Sequence, residues 1–149
     1  MNWRRACVPA LALVLVVAGC GGSSDTSARQ LRNGAGHACT VAAQRLNAIP
    51  TPQVPSQGAS FLRGGIAALQ SEITELSSMH PGGTAGVHFR AARTATEHEV
   101  KALQSSLRGL KAGNDPIVAI KTLQTQLAPL EKEAKVAWQA LSIPACAKT

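Results

Sequence analysis

Apolar residues recur three and four positions apart in four separate segments of this chain. That spacing puts them on one face of an α-helix and predicts amphipathic helices over about 28–49, 60–79, 85–112 and 116–141. The fourth segment has the clearest apolar stripe. It consists of Ile120, Leu123, Leu127, Leu130, Ala134, Ala137 and Leu141.

Proline and glycine separate the four segments. The first connection, 50–55, contains three prolines, and the second, 80–83, has the composition of a turn. In the third connection, 113–116, Gly113 can end one helix and Asp115 can cap the next. Four such segments with short connections predict an all-α fold, an antiparallel four-helix bundle. A long coiled-coil hairpin that dimerises would use the same spacing and remains the alternative.

Two of the predicted helices carry residues that disturb a helix. Pro129 lies inside the fourth segment and predicts a kink, because it removes a backbone donor. Gly34 and Gly36 weaken the start of the first segment, so its dependable part begins near His37.

The first twenty residues have the composition of an export signal. Arg4 and Arg5 precede an apolar run over 6–18, and small residues follow it. The run is too short to span a bilayer core, which takes about 20 residues.

The end of this signal resembles the lipobox of bacterial lipoproteins. The matching residues are Val17-Ala18-Gly19-Cys20. The resemblance implies cleavage before Cys20, acylation of Cys20, and an extracytoplasmic protein anchored to the cell membrane by lipid. It divides the chain into a signal peptide (1–19), a lipidated Cys with a flexible Gly/Ser tether (20–28) and a helical bundle domain (29–149).

Two of the four cysteines remain for the fold. Cys7 leaves with the signal and Cys20 carries lipid, so Cys39 and Cys146 form one pair in an oxidising compartment. We expect a disulfide between them, which would close a loop of about a hundred residues and hold the C-terminal tail to the first helix. The alternative, two ligands of a metal site, has no CxxC pair to support it.

Composition and charge narrow the function classes. Aromatic residues make up 3% of the chain, which argues against a sheet-rich fold, and nucleic acid is not an expected partner because stacking residues are so few. The formal charge of +7 falls to +5 when Arg4 and Arg5 are removed. Arg29 and Arg32 follow the anchor closely, and we expect them to contact anionic headgroups or to be solvated.

No motif in the sequence predicts catalysis or a cofactor. Glu-x-x-His pairs, a nucleophile elbow, a phosphate-binding loop and a dinucleotide fingerprint are all absent from it. His98 between Glu97 and Glu99 offers weak cation binding at most. Glu72, Glu75, Glu131 and Glu133 are interpreted as parts of hydrated helix faces with local ion pairs. We therefore expect no catalytic residue, no metal site and no enzyme.

Scattered residues also resemble small helical lipoproteins of actinobacteria, and that resemblance implies a helical extracytoplasmic domain with a Cys pair but no activity. The residues are Leu46-Asn47-Ala48-Ile49-Pro50, Gly113-Asn114-Asp115-Pro116, Ala137-Trp138 and Ile143-Pro144-Ala145-Cys146.

The function expected from the sequence is a non-enzymatic interaction or accessory module at the cell envelope. Its protein partner is not identified. The alternative is a carrier or sensor of a small or lipidic ligand in the bundle core. A filled core favours the first and an apolar pocket of at least about 300 Å³ favours the second. Trp138, expected to pack over Ile143, would lie beside such a pocket.

Overall fold

The computed structural model describes residues 26–147, which fold into four α-helices. These are α1 (Ala28–Asn47), α2 (Gly58–Leu76), α3 (Gly83–Lys111) and α4 (Pro116–Ala140), with a short 3₁₀ turn at Pro55–Gln57 before α2. The described residues contain no strand, and the predicted antiparallel four-helix bundle is confirmed. The predicted signal peptide, the predicted lipidation site Cys20 and the predicted tether as far as residue 25 lie outside the described residues.

Local sequence signals set the helix ends. The Asp115 carboxylate accepts hydrogen bonds from the N–H groups of Ile117 (2.8 Å) and Val118 (3.0 Å), which caps α4, and Pro116 occupies the first turn. Gly113 follows α3 with a φ of 89°, a left-handed conformation that suits glycine. The sequence predicts both of these features.

The first helix is regular from its first residue, although its two glycines predict a weak start. Ser27 and Gln30 form a capping box, in which each side chain bonds the other's backbone N–H, so α1 starts at Ala28 rather than near His37. Gly34 has a packing role. A Cβ at this position would lie 2.6 Å from Cε of Met79, so the missing side chain makes room for Met79.

The start of the described chain is attached to the loop between α2 and α3. The Thr26 N–H donates to the carbonyl of His80 at 3.1 Å, and the His80 N–H donates to Oγ1 of Thr26 at 2.9 Å. Thr26 and Ser27 therefore belong to the fold, although the sequence analysis assigns both to the tether.

Helices that are neighbours in the chain pack against one another: α1 with α2, α2 with α3, and α3 with α4. The first and last helices pack together far less closely. Instead, a disulfide between Cys39 of α1 and Cys146 of the tail after α4 joins them, with a Cα–Cα distance of 5.1 Å. This arrangement leaves space between α1 and α4.

The buried apolar residues form two clusters along the bundle. One surrounds Trp138, which is 2% exposed, meets Phe89 edge-to-face at 6.0 Å between ring centroids and packs with Ile143, as the sequence predicts. The other is formed by Leu62, Leu69, Val100, Leu103 and Leu123.

The predicted apolar stripe of α4 is only partly buried. Leu123, Ala134 and Ala137 are buried, but Ile120 is 43% exposed. Because α4 packs chiefly against α3, the surface of α4 that a neighbouring helix buries is narrower than its apolar stripe. The helix continues through Pro129.

Candidate functional site

A cleft of about 420 Å³ lies between α1 and α4, and residues from all four helices form its walls. We call it the acidic cleft. Its apolar end consists of Ile49, Phe61, Leu62, Leu103 and Leu127. Its acidic end consists of Glu72, Thr96, Glu99, Glu131 and Trp138.

The two ends are separated along the bundle axis. On α2, Phe61 lies at the apolar end and Glu72 at the acidic end, and at a rise of about 1.5 Å per residue they are roughly 16 Å apart. The apolar and acidic residues of the other helices match this order. On α3, which runs antiparallel to α2, Glu99 comes before Leu103. On α4, which runs in the same direction as α2, Leu127 comes before Glu131. The cleft is therefore amphipathic from end to end.

Glu72 is the most deeply buried carboxyl group of the cleft, with 6% of the residue exposed. Its Oε1 lies 3.5 Å from Sγ of Cys39, but that sulfur is in a disulfide and has no hydrogen to donate. Among residues 26–147, no other group is in hydrogen-bond contact with the Glu72 side chain. Burial raises the pKa of Glu72 to about 7, and repulsion from Glu75 adds to the rise.

Glu99 and Glu131 complete a set of three carboxyl groups, one each from α2, α3 and α4. Burial raises the pKa of Glu99 to about 7, with further contributions from repulsion by Glu131 and then by Glu72. Glu131 is exposed, whereas Glu99 is partly buried. The carboxyl groups thus extend from the solvent-facing mouth to the buried wall.

No lysine, arginine or histidine is among the described residues that line the cleft. Arg45 of α1 donates to Oγ of Ser71, and Nε of Arg93 lies 3.2 Å from Oε1 of Glu97 in an ion pair. Neither cation neutralises the acidic end, so its negative charge is uncompensated by the cleft's own walls.

The polar hydroxyl of Thr96 is already bonded within α3. Its Oγ1 donates to the Ala92 carbonyl at 3.3 Å. Thr96 is 4% exposed, so it shapes the wall of the cleft beside Glu99 without offering a free donor proton.

The structure separates the histidines from one another and from the acids beside them in sequence. His37, His80 and His98 are exposed and His88 is partly exposed. Glu97 pairs with Arg93 on the outside of α3, whereas Glu99 lines the cleft, so the predicted local cluster around His98 is not assembled. Within 26–147, no group of three or more His, Cys, Asp or Glu side chains is arranged to hold a metal ion.

The expected membrane contacts lie at one end of the bundle. Arg29 and Arg32 are exposed on the first turns of α1, next to Thr26. Of the helices described here, none combines the length and apolar character needed to cross a membrane.

Sequence reasoning placed Glu72 on a hydrated face, and the structure shows that interpretation to be wrong. The available signal was the register: Glu72 lies three residues after Leu69 and four before Leu76, both buried on the same face of α2. Glu131 lies four residues after Leu127 and three before Ala134 on α4, and all three line the cleft. A carboxylate in phase with an apolar stripe was the sign of an acidic wall.

No protein-family model, curated protein or solved structure matches this chain.

Proposed function

We propose that this chain is a lipid-anchored extracytoplasmic protein that binds a small ligand in the acidic cleft, as a carrier or sensor. The cleft carries the proposal. Its volume of about 420 Å³ falls in the range of small-molecule sites, which is roughly 300–1,000 Å³. Mostly apolar walls with a few polar groups are also typical of such sites.

The anchoring part of the proposal rests on sequence. The basic start, the apolar run and the small residues before Cys20 support an acylated, membrane-held chain. Metabolic labelling with a fatty acid tests it. The unaltered chain should incorporate label and Cys20→Ala should incorporate none, whereas equal labelling of both would contradict acylation at Cys20.

Native mass spectrometry of protein extracted gently from its own membranes tests ligand binding. We expect a reproducible mass beyond the acylated chain, small enough for the cleft. A variant that fills the cleft, Ala43→Phe, should lose that mass. The matched control Ala67→Phe adds the same ring to an exposed position on α2 and should keep it. Equal masses in both variants would place the ligand elsewhere.

Tryptophan fluorescence gives a second readout. The chain has two tryptophans, Trp3 and Trp138, and only Trp138 remains once a signal peptide over 1–19 is removed. Because Trp138 lines the acidic end, an occupant of the cleft should change its emission.

One observation favours the interaction module as a second candidate. Ile117, Val118 and Ile120 lie together at the start of α4 and are exposed by 64%, 62% and 43%. Exposed apolar side chains grouped on one helix are a feature of protein-binding surfaces. A partner that the unaltered chain and Ala67→Asp both retain in a pull-down, and that Val118→Asp loses, would support this second candidate.

A further inference from the structure

The acidic cleft has a charge pattern that selects among ligand classes. Three carboxyl groups from three different helices line one end, and the other end is apolar. An occupant that fits both ends has one polar head and one apolar body. The question is which charge the head carries.

The buried Glu72 side chain points to a missing partner. It lines the cleft, is 6% exposed, and the sulfur that lies 3.5 Å from its Oε1 is in a disulfide and has no hydrogen to donate. A buried carboxyl group usually has hydrogen-bond donors, because leaving it without them costs free energy. A ligand with N–H donors at this position would supply them.

The surrounding charges exclude an anionic head. Glu72 and Glu75 lie on α2, Glu99 on α3 and Glu131 on α4, while α1 contributes the Cys39 sulfur, Ala43, Leu46 and Asn47. No basic side chain of the described lining offsets the three acids of the cleft. A carboxylate or phosphate head would therefore meet repulsion from each of the three helices that carry an acid.

A bare metal ion fits no better. The described carboxyl groups are not grouped as a set that could hold one, and a metal ion would leave the apolar end of the cleft unfilled. An organic cation satisfies both ends at once.

Resting on the proposed function, we propose that the acidic cleft binds an amphipathic organic cation, such as an alkylamine. Its ammonium group lies among Glu72, Glu99 and Glu131, and its apolar body extends toward Phe61 and Leu103. The ammonium group donates hydrogen bonds to the Glu72 carboxylate, and the cleft rejects anions of the same apolar length.

This binding is linked to proton release. Glu72 and Glu99 have pKa values raised to about 7, so both are partly protonated at neutral pH. An ammonium group favours the charged carboxylates, so its binding expels protons and tightens as the pH rises through 7. When one carboxyl group with a pKa of about 7 must ionise for the cation to bind, affinity rises about tenfold between pH 6 and pH 8.

Three probes with the same number of carbons test the charge of the head: n-octylamine, 1-octanol and octanoate. The processed chain, residues 20–149, is used with Cys20→Ser, so that no lipid or detergent is present to absorb the probes. This chain contains every described residue. Titration calorimetry and Trp138 emission are recorded at pH 6 and pH 8.

We expect octylamine to bind most tightly and to bind about tenfold more tightly at pH 8 than at pH 6. Octanol should bind more weakly without this pH dependence, and octanoate should be weakest. Octanol binding as tightly as octylamine would overturn the cation proposal and leave the ligand-binding function standing. Failure of all three probes to bind would overturn both.

Variants locate the binding site on the acidic end. Glu72→Gln and Glu99→Gln should each weaken octylamine binding and reduce its pH dependence, and Glu131→Gln at the exposed mouth should weaken it without threatening the fold. Glu97→Gln and Glu133→Gln alter acids that do not line the cleft and serve as controls. Thermal melts confirm that each variant is folded. Equal weakening by the controls would overturn the assignment.

Discussion

Oε1 of Glu72 lies 3.5 Å from Sγ of Cys39, so a buried carboxyl group and a disulfide share one contact at the wall of the cleft. Cys39 is in turn bonded to Cys146, in the tail that follows α4. Side chains of α1, α2 and the C-terminal tail therefore meet at this point. Changes at the disulfide and changes at Glu72 are expected to affect one another.

Glu72 should make the fold less stable as the pH rises. Its pKa is about 7 when folded and about 4.5 when unfolded, so between these values the folded state holds more protons. Stability therefore falls as the pH rises from about 4.5 to about 7. From pH 5 to pH 8 we expect this group to account for a loss of roughly 2 to 3 kcal/mol.

Urea unfolding of Glu72→Gln at pH 5 and pH 8 measures this contribution. The variant cannot ionise at position 72, so its pH-dependent loss should be smaller than that of the unaltered chain by the same amount. Glu97→Gln removes an acid from the outside of α3 and should leave the pH profile nearly unchanged. Parallel profiles for Glu72→Gln and the unaltered chain would show that Glu72 titrates normally.

Loss of the disulfide should destabilise the bundle. Cys39 and Cys146 are separated by 107 residues in sequence, and removing a native disulfide from a small domain typically costs about 2–5 kcal/mol. The double variant Cys39→Ala with Cys146→Ala should unfold at correspondingly lower urea concentration. In the unaltered chain, denatured without reductant, alkylation followed by peptide mass spectrometry should leave both cysteines unlabelled. Labelling of both would contradict the disulfide.

Two glycines should respond oppositely to alanine. At Gly34 the added Cβ would meet the flexible methyl end of Met79, which can move, and alanine favours the helix by up to about 1 kcal/mol. At Gly86 the Cβ would lie 2.3 Å from the backbone oxygen of Pro81, which cannot yield without moving the chain. We expect Gly34→Ala to be neutral or stabilising and Gly86→Ala to cost at least about 1–3 kcal/mol.

Thermal melts of the two glycine variants compare them directly. Each changes one glycine in an α-helix, so the difference between their melting temperatures isolates what the added methyl group contacts. A Gly34→Ala variant as unstable as Gly86→Ala would mean that Met79 is as rigid as backbone.

The cap of α4 should be measurable. The Asp115 carboxylate bonds two backbone N–H groups, and replacing such a cap by alanine costs about 1 kcal/mol. Asp115→Asn keeps an acceptor oxygen and should retain most of that stability. Urea midpoints of the two variants provide the comparison, and equal midpoints for Asp115→Ala and the unaltered chain would contradict the capping role.

Much of the fold could be predicted from the sequence because it depends on local signals. Helical periodicity identified four helices, and Asp115 and Gly113 identified the boundary between α3 and α4 correctly. Periodicity also predicted the start of α1 near Ala28, but the dependable part was placed near His37 because the two glycines were weighed by their helix propensity alone. The capping box at Ser27 and the packing of Met79 against Gly34 outweigh that propensity.

The cleft was harder to foresee because it depends on which helices fail to pack together. Periodicity identifies an apolar face but does not say how much of that face a neighbour covers. Ile120, in phase with the stripe yet exposed, shows this limit. Glu72 shows the same limit for a charged residue, because it was expected to be exposed and is buried.

The hydrogen bonds between Thr26 and His80 determine how far the bundle could stand from a membrane. With Cys20 acylated, six peptide steps separate the lipid from Thr26, a reach of at most about 20 Å. The end of the bundle that carries Arg29, Arg32 and His80 would then stay beside the headgroups. The α3–α4 turn would lie a further 40 Å or so away, given the 29 residues of α3. The domain would thus stay close to the membrane, and inserting residues before Thr26 would let it stand farther away without altering the cleft.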